Sequence, residues 1–140
     1  MLLERYGTTE PHPWLRPAPG MAPAPSAAEV TRWHHAWSDF RNTMLGFMES
    51  YDIILCPVCA FPAIPHGTSD DPDKYHGFSY TKTWNLTGWP AAVVRCGTSS
   101  GAVRLPIGVQ VVARPWREDI ALAVAGVVEA ATGGWRAPSL

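Results

Sequence analysis

The sequence has 140 residues, of which 46% are hydrophobic and only 16% are charged, and its formal net charge is −1. Soluble domains usually have about 25% charged residues. The lower fraction here, together with seven tryptophans, indicates apolar surface that another part of the fold or a partner should bury. No basic block supplies the charge that neutralises phosphates, so we expect no nucleic-acid partner.

The sequence shows no pattern typical of a membrane span, a signal peptide or a disulfide framework. No apolar stretch approaches the ~20 residues that span a bilayer, and the first residues lack the apolar run of a signal peptide. We therefore expect a soluble, cytoplasmic protein without a membrane partner. Three cysteines, an odd number, are more typical of reduced thiols than of a disulfide framework.

The chain begins with a proline-rich stretch. Six prolines lie between Pro11 and Pro25, and this composition favours an extended linker over a helix or a strand. A proline motif that binds a partner is the less favoured alternative. We predict an N-terminal segment 1–25, a folded segment 26–132 and a tail 133–140.

The first predicted helix begins after Ser26. Ser26 and Glu29 form a capping box, in which each residue bonds the other's backbone amide. Apolar residues then recur at helical spacing, which predicts an amphipathic helix of about 22 to 25 residues. The stripe consists of Val30, Trp33, Trp37, Phe40, Met44, Phe47 or Met48, and Tyr51. His34 and His35 are adjacent and point roughly 100° apart, so they cannot share a metal.

A strand and a long loop follow. Asp52–Cys56 is typical of a buried strand, and Pro57 ends it. Prolines and an acidic turn then predict an irregular loop from Pro57 to Trp84. Loops of this length are usually functional or packed over another part of the fold.

The last part of the chain predicts a hairpin and a helix. Two valine-rich runs, 91–96 and 106–113, flank the turn-like segment 97–101, which favours two strands joined by a small loop. Glu118 and Asp119 suit a helix N-terminus, and Gly133-Gly134 suits its end.

Cys56-Pro57-Val58-Cys59 has the C-x-x-C spacing of zinc and redox motifs. A redox pair needs a helix after its first thiolate, and Pro62 and Pro65 oppose that helix. A zinc site needs two further ligands, for which Cys96, His66 and His76 are the candidates. We favour a simple strand end and keep a small zinc or thiol protein as an alternative.

Four separated pieces of the chain resemble the C-terminal part of amidase-signature hydrolases. They are Asp52–Pro57, Asn85–Ala91, Leu105–Gln110 and the pair Glu118-Asp119, and they occur in the family's order over roughly residues 26–131. The resemblance implies an α/β fold, in which a large mixed sheet carries helices on both faces. This chain would supply a long helix, a strand, a proline-rich loop, two strands and a closing helix.

The resemblance also implies hydrolysis of carboxylic amides or esters by two serines and a lysine, without a cofactor. Those catalytic parts belong to earlier portions of the family, and the sequence lacks them. Its only lysines, Lys74 and Lys82, stand outside the family's lysine context, and Ser99-Ser100-Gly101 is explained as a polar hairpin tip. We therefore expect no catalytic residue here and no hydrolysis by this chain alone.

The segment 78–89 resembles part of the family's substrate-side wall. Its mixture of aromatic and hydrogen-bonding groups makes four residues the candidates for a substrate cleft: Tyr80, Thr81, Trp84 and Asn85. The structural alternative is that Asn85 and Thr87 cap a turn. Phe78 stands near the place where glutamine-transamidating subfamilies have an acidic residue, which argues against that role.

Besides the small zinc or thiol protein, two interpretations of the whole chain remain open at this point. The first is a C-terminal amidase fragment, whose partners are a small amide or ester, the missing N-terminal portion or a second copy of the chain. The second is a binding protein without catalysis that keeps the same layers. Because two helices cannot cover both faces of three strands, exposed faces or edges should invite pairing or aggregation.

Overall fold

The computed structural model describes Arg5, Gly7 and residues 23–69 and 71–137. Most of the predicted segment 1–25 and the last three residues of the predicted tail therefore lie outside the described residues. The chain divides into two units, Met1–His34 and His35–Leu140.

The described chain contains four α-helices, two 3₁₀ segments and three strands. The helices are α1 (Ala27–Phe47), α2 (Pro72–Tyr75), α3 (Lys82–Thr87) and α4 (Glu118–Thr132). Two 3₁₀ segments, Met48–Ser50 and His76–Thr81, follow α1 and α2. The strands are β1 (Ile53–Pro57), β2 (Ala91–Thr98) and β3 (Pro106–Ala113).

Helix α1 begins with the predicted capping box. The Ser26 amide donates to Glu29 Oε2 at 2.8 Å, and the Glu29 amide donates to Ser26 Oγ at 3.3 Å. The hydrogen bonds from the Ser26 side chain and backbone lower the pKa of Glu29. The helix starts where the sequence predicts, and its 21 residues are slightly fewer than the roughly 22 to 25 predicted, because a 3₁₀ segment follows it.

The apolar stripe of α1 is not buried over most of its length. No residue of Ala27–Phe47 is buried, and Trp33 is 59% exposed. Met44, which is half-buried, and Met48, which is fully buried, pack in the core at the end of this region. Only the C-terminal end of the stripe therefore contributes to the core.

The sheet is antiparallel, with the strand order β1-β3-β2. The predicted hairpin of β2 and β3 is confirmed. Val111 and Val112 are both fully buried, and because neighbouring residues of a strand point to opposite faces, β3 is covered on both sides. β1 was predicted to be buried, but it lies at the edge and Leu55 is 52% exposed. β1 is an edge strand in spite of its continuous apolar run, because β3 occupies the centre of the sheet.

A small core packs against one face of the sheet. Met48, Trp89 and Val112 are its buried members. Trp84 is partly buried against them, and its ring stacks on Trp89 at a centroid distance of 6.2 Å. Helix α4 packs against β2 and β3 through its buried residues Ala121 and Ala125. Small side chains in α4 allow it to approach the sheet closely.

Polar side chains fasten the hairpin end of the sheet. In the hairpin connection, Ser99 accepts a hydrogen bond from the Leu105 amide at 3.0 Å, so its hydroxyl has the structural role predicted for it. Near the same end, Arg95 donates to the Gly134 carbonyl at 3.1 Å, and Thr132 donates to the Arg95 carbonyl at 2.9 Å. These bonds tie the end of α4 to β2.

The predicted irregular loop from Pro57 to Trp84 is wrong in its second half, which is helical from Pro72 to Thr87. Asp71 caps α2 by accepting from the Asp73 amide at 3.0 Å, and Pro72 takes the first helical position. Gly88, with a φ of 71°, ends α3 in the left-handed conformation. These helices are too short to show a periodic apolar face, so only their caps could have indicated them.

Candidate functional site

A cavity lies where β1 passes into the loop that follows it. Its volume is about 470 Å³, within the range of small-molecule sites. The lining is continuous over Pro57–Ala63 and is completed by Val93 and Pro106–Gly108. Among the described residues, this lining includes no hydroxyl, amine or carboxylate side chain, and its most polar side-chain group is the Cys59 thiol. The cavity therefore suits an apolar group.

Gly108 has no side chain and therefore leaves space in this cavity. A Cβ atom added at Gly108 would lie 3.2 Å from Val93 Cγ1 and 3.4 Å from Val58 Cγ2, so a larger residue would fill the space between these two side chains. Since Val93 is 54% exposed, the cavity has an accessible apolar side.

One wall of the cavity is fastened to the 3₁₀ segment His76–Thr81. The Ala60 amide donates to the Gly77 carbonyl at 3.0 Å. Next to this bond, the Phe61 ring meets the Phe78 ring edge to face, with centroids 5.2 Å apart at an interplanar angle of 88°. The loop is thus held by one backbone hydrogen bond and one aromatic pair.

The four predicted cleft residues do not line this cavity. Tyr80 and Asn85 are exposed. Thr81 donates to the Phe78 carbonyl at 3.3 Å, and Trp84 packs in the core. Thr87 is buried and donates to the Trp84 carbonyl at 3.3 Å, as the structural alternative for this residue predicted. The four residues occupy consecutive helical turns beyond the Phe61–Phe78 contact, and their role as a cleft stays a prediction.

Sequence reasoning did not assign a binding role to the residues that do line the cavity. Val58, Phe61 and Ile107 lie in a proline-rich loop and at the start of β3, where the pattern predicted only irregular backbone or a strand. The available signal was the length of the loop together with its apolar content between prolines. Such a loop cannot bury itself completely, so its side chains remain available to a ligand.

Cys56 lies between the cavity loop and the core. Gln110 is 3% exposed, and its side-chain amide donates to the Pro57 carbonyl at 3.1 Å and contacts Cys56 Sγ at 3.6 Å. Burial raises the pKa of the Cys56 thiol, while the neighbouring Trp84 and Gln110 side chains act against that shift. The net effect is a neutral thiol at physiological pH, which is unfavourable for redox chemistry.

The structure adds no support for the zinc alternative. Cys56, Cys59 and Cys96 are free and half-buried. Over residues 23–69 and 71–137, no group of three or more His, Cys, Asp or Glu side chains is placed to hold a metal ion. A structural zinc site requires four such ligands.

Both lysines have partners other than a serine hydroxyl. Lys74 pairs with Asp71 at 3.2 Å, and Lys82 lies 4.3 Å from the centre of the Tyr75 ring. The Ser79 hydroxyl donates to the His76 carbonyl at 2.6 Å. These contacts are typical of helix surfaces and do not build a nucleophile with its base.

Comparison with known proteins identifies the family. The family model described as Amidase matches residues 17–122, which is more than half of the chain. The chain belongs to the amidase family. The resemblance seen in its four sequence pieces is therefore confirmed, and the mixed helix and strand architecture agrees with part of an amidase.

Several curated amidases are similar to this chain over part of their length. Fatty acid amide hydrolase 1 of Caenorhabditis elegans is 31% identical over a 150-residue alignment, which covers 84% of this chain and 26% of that protein. A glutamyl-tRNA(Gln) amidotransferase subunit of Deinococcus deserti is 35% identical over 85 residues, which cover 58% of this chain and 18% of that protein. The chain thus spans about a quarter or less of these relatives.

A solved structure shares the fold. Its chain superposes with a TM-score of 0.68 and is 24% identical, over 82% of this chain and 26% of the other. That structure is described as a vestigial protein complex that reveals the evolutionary origins of an s-triazine catabolic enzyme. In the described part of the present amidase chain, no helix combines the length and the hydropathy of a membrane span.

Proposed function

We propose that this chain is the C-terminal part of an amidase and forms one wall of its substrate site. The nucleophile and the base would come from another portion of the amidase domain. The observation that carries this proposal is the apolar cavity beside β1, because it offers room for a ligand without any acid, base or hydroxyl in its described lining. Such a surface binds a substrate but does not cleave it.

The lining also indicates which part of a substrate it would hold. Val58, Phe61 and Ile107 offer hydrocarbon surface, and burial of an apolar group there contributes ~25 cal/mol per Å². The reacting amide or ester group requires hydrogen-bond donors for its oxyanion, which this lining does not supply. We therefore assign to the cavity the acyl or leaving-group side of the substrate rather than its scissile bond.

If the catalytic groups lie in another portion of the enzyme, neither lysine of this chain needs to act as the general base. A serine–lysine hydrolase loses on the order of 10⁶ in turnover when the nucleophile or its partner is absent. Since Lys74 is paired with Asp71 and Lys82 lies over Tyr75, neither is poised as a general base. The isolated chain should therefore show no amidase or esterase activity.

A chimera tests the proposal directly. In fatty acid amide hydrolase 1 of C. elegans, the matched 26% of the protein would be replaced by this chain, and amide hydrolysis would be measured. The chimera should hydrolyse an aliphatic amide, whereas the isolated chain should not. Hydrolysis by the isolated chain at a rate above that of buffer would contradict the proposal.

Two matched variants of the chimera distinguish an effect on substrate binding from a general effect on stability. Ile107→Asp places a charge in the cavity lining and should raise KM about tenfold or more, because an apolar group loses its contact surface. Val103→Asp, at a residue that is 70% exposed and outside the lining, should leave KM unchanged. Equal effects of the two variants would remove the cavity from the substrate site.

A further inference from the structure

The Phe61 ring lies between the cavity and two residues that are not part of its lining. Phe61 belongs to the lining, whereas Gly77 and Phe78, which contact the same ring, do not. A Cβ atom at Gly77 would lie 2.2 Å from Phe61 Cε1, so the ring occupies the space that any other residue at position 77 would need. The edge-to-face contact with Phe78, at 5.2 Å, fixes the ring from a second direction.

We propose that Gly77 and Phe78 set the width of the cavity by fixing the position of Phe61, and thereby select the size of the apolar group that enters. The ligand class is an aliphatic carboxylic amide whose chain occupies the cavity. This inference rests on the proposed function, because it takes the cavity to be the substrate wall.

The geometry predicts opposite effects for changes at the two positions. Gly77 has no positive φ, so alanine fits the backbone and its conflict is with the Phe61 ring. Gly77→Ala should therefore push the ring towards the cavity and narrow it. Phe78→Ala removes the ring against which Phe61 packs and should let Phe61 move back, which widens the cavity.

The test measures how affinity depends on ligand length. Butanamide, hexanamide and octanamide would be titrated into the full chain by calorimetry, and the ratio of the dissociation constants of butanamide and octanamide would be compared between variants. Each methylene that the cavity accepts should improve affinity about fourfold. Gly77→Ala should reduce the ratio about tenfold, because overpacking opposes the longer chain. Phe78→Ala should raise it severalfold.

Two controls connect the effect to Phe61. Gly46→Ala, at a helical glycine whose added Cβ would meet no atom within 4 Å, should leave the ratio unchanged. In a Phe61→Ala background the Gly77→Ala change should no longer matter, because the ring it strikes is absent. A Gly77→Ala effect that persists without Phe61 would overturn the inference.

The remaining outcomes distinguish this inference from the proposed function. If the unaltered chain binds none of the amides, the cavity is not a substrate wall and both proposals fail. If the chain binds them but Gly77→Ala and Phe78→Ala leave the ratio unchanged, or shift it in the same direction, only this inference fails. If Gly77→Ala prevents folding, Phe78→Ala decides: a raised ratio supports the inference and an unchanged ratio overturns it.

Discussion

Cys56 shows how local surroundings decide the reactivity of a residue. It opens a C-x-x-C sequence that by itself favours metal or redox chemistry. In the structure, burial raises the pKa of its thiol although Gln110 donates towards it. Since the thiolate is the reactive form, Cys56 is chemically protected at neutral pH.

Alkylation should reveal this protection. Near pH 8, iodoacetamide should modify Cys56 severalfold more slowly than a cysteine in an unfolded peptide, and the rate should continue to rise at higher pH. Mass spectrometry of digested protein would measure the rate at this residue. A rate equal to that of the unfolded peptide would show that the thiol is not protected by the fold.

The same pKa shift predicts how stability depends on pH. Because the folded state holds the Cys56 proton at pH values where the unfolded state has released it, the free energy of unfolding should fall as pH rises above about 8.5. Urea denaturation at several pH values would measure this fall. The Cys56→Ala variant should show a shallower decrease, and an unchanged slope would contradict the prediction.

Trp116 adopts a backbone conformation that is unusual for a large residue. Its φ is 64°, in the left-handed region, and its side chain is 88% exposed. Asparagine tolerates this conformation better, so Trp116→Asn should raise the free energy of unfolding by roughly 1 kcal/mol. Trp135→Asn is the control, because Trp135 is 76% exposed and has no positive φ. Equal shifts in the two denaturation curves would exclude strain at Trp116.

The 3₁₀ segment Met48–Ser50, directly after α1, contributes a buried residue to the core. Met48 has 0% accessible surface and packs with Trp89 and Val112. Met48→Ala should lower the free energy of unfolding by about 2–5 kcal/mol, since it leaves a cavity. Leu45→Ala, at a residue 42% exposed, should cost less than about 1 kcal/mol. Urea denaturation of both variants would reveal whether the burial of Met48 governs stability.

Elements with strong local signals could be predicted from the sequence. The Ser26–Glu29 capping box located the start of α1, and the turn chemistry after Thr98 located the hairpin. The short helices at Pro72–Thr87 were missed because six residues or fewer cannot display a periodic apolar face. The burial of β1 was misjudged because an apolar run does not reveal the order of strands in a sheet.

The cavity could not be predicted for a related reason. Its lining joins Pro57–Ala63 to Val93 and Pro106–Gly108, which are far apart in sequence and meet only through the register of the sheet. The family resemblance pointed instead to the segment 78–89, where the motif is polar and aromatic. The fold places Gly77 and Phe78 from that neighbourhood behind the cavity wall, so their contribution is visible only in three dimensions.

At the scale of the whole molecule, the unit His35–Leu140 leaves apolar surface on its sheet. In the described residues β1 and β2 each pair with β3 alone, so each has an outer edge. Leu55 on β1 is 52% exposed, although its partner Val111 on β3 is fully buried. Unpaired strand edges with exposed apolar side chains favour association with another chain. The remaining portion of an amidase domain and a second copy of this chain are the two partners that we propose.

Association of the isolated chain should therefore depend on Leu55. Size-exclusion chromatography with light scattering should show species larger than the monomer, and Leu55→Lys should shift them towards the monomer by placing a charge on the edge strand. Leu122→Lys, at a residue of α4 that is 65% exposed, should not. A monomeric chain that melts cooperatively would instead show that the core around Met48 and Trp89 suffices without a partner. That outcome would favour the binding protein over the amidase fragment, because a fragment needs the layers that complete its sheet.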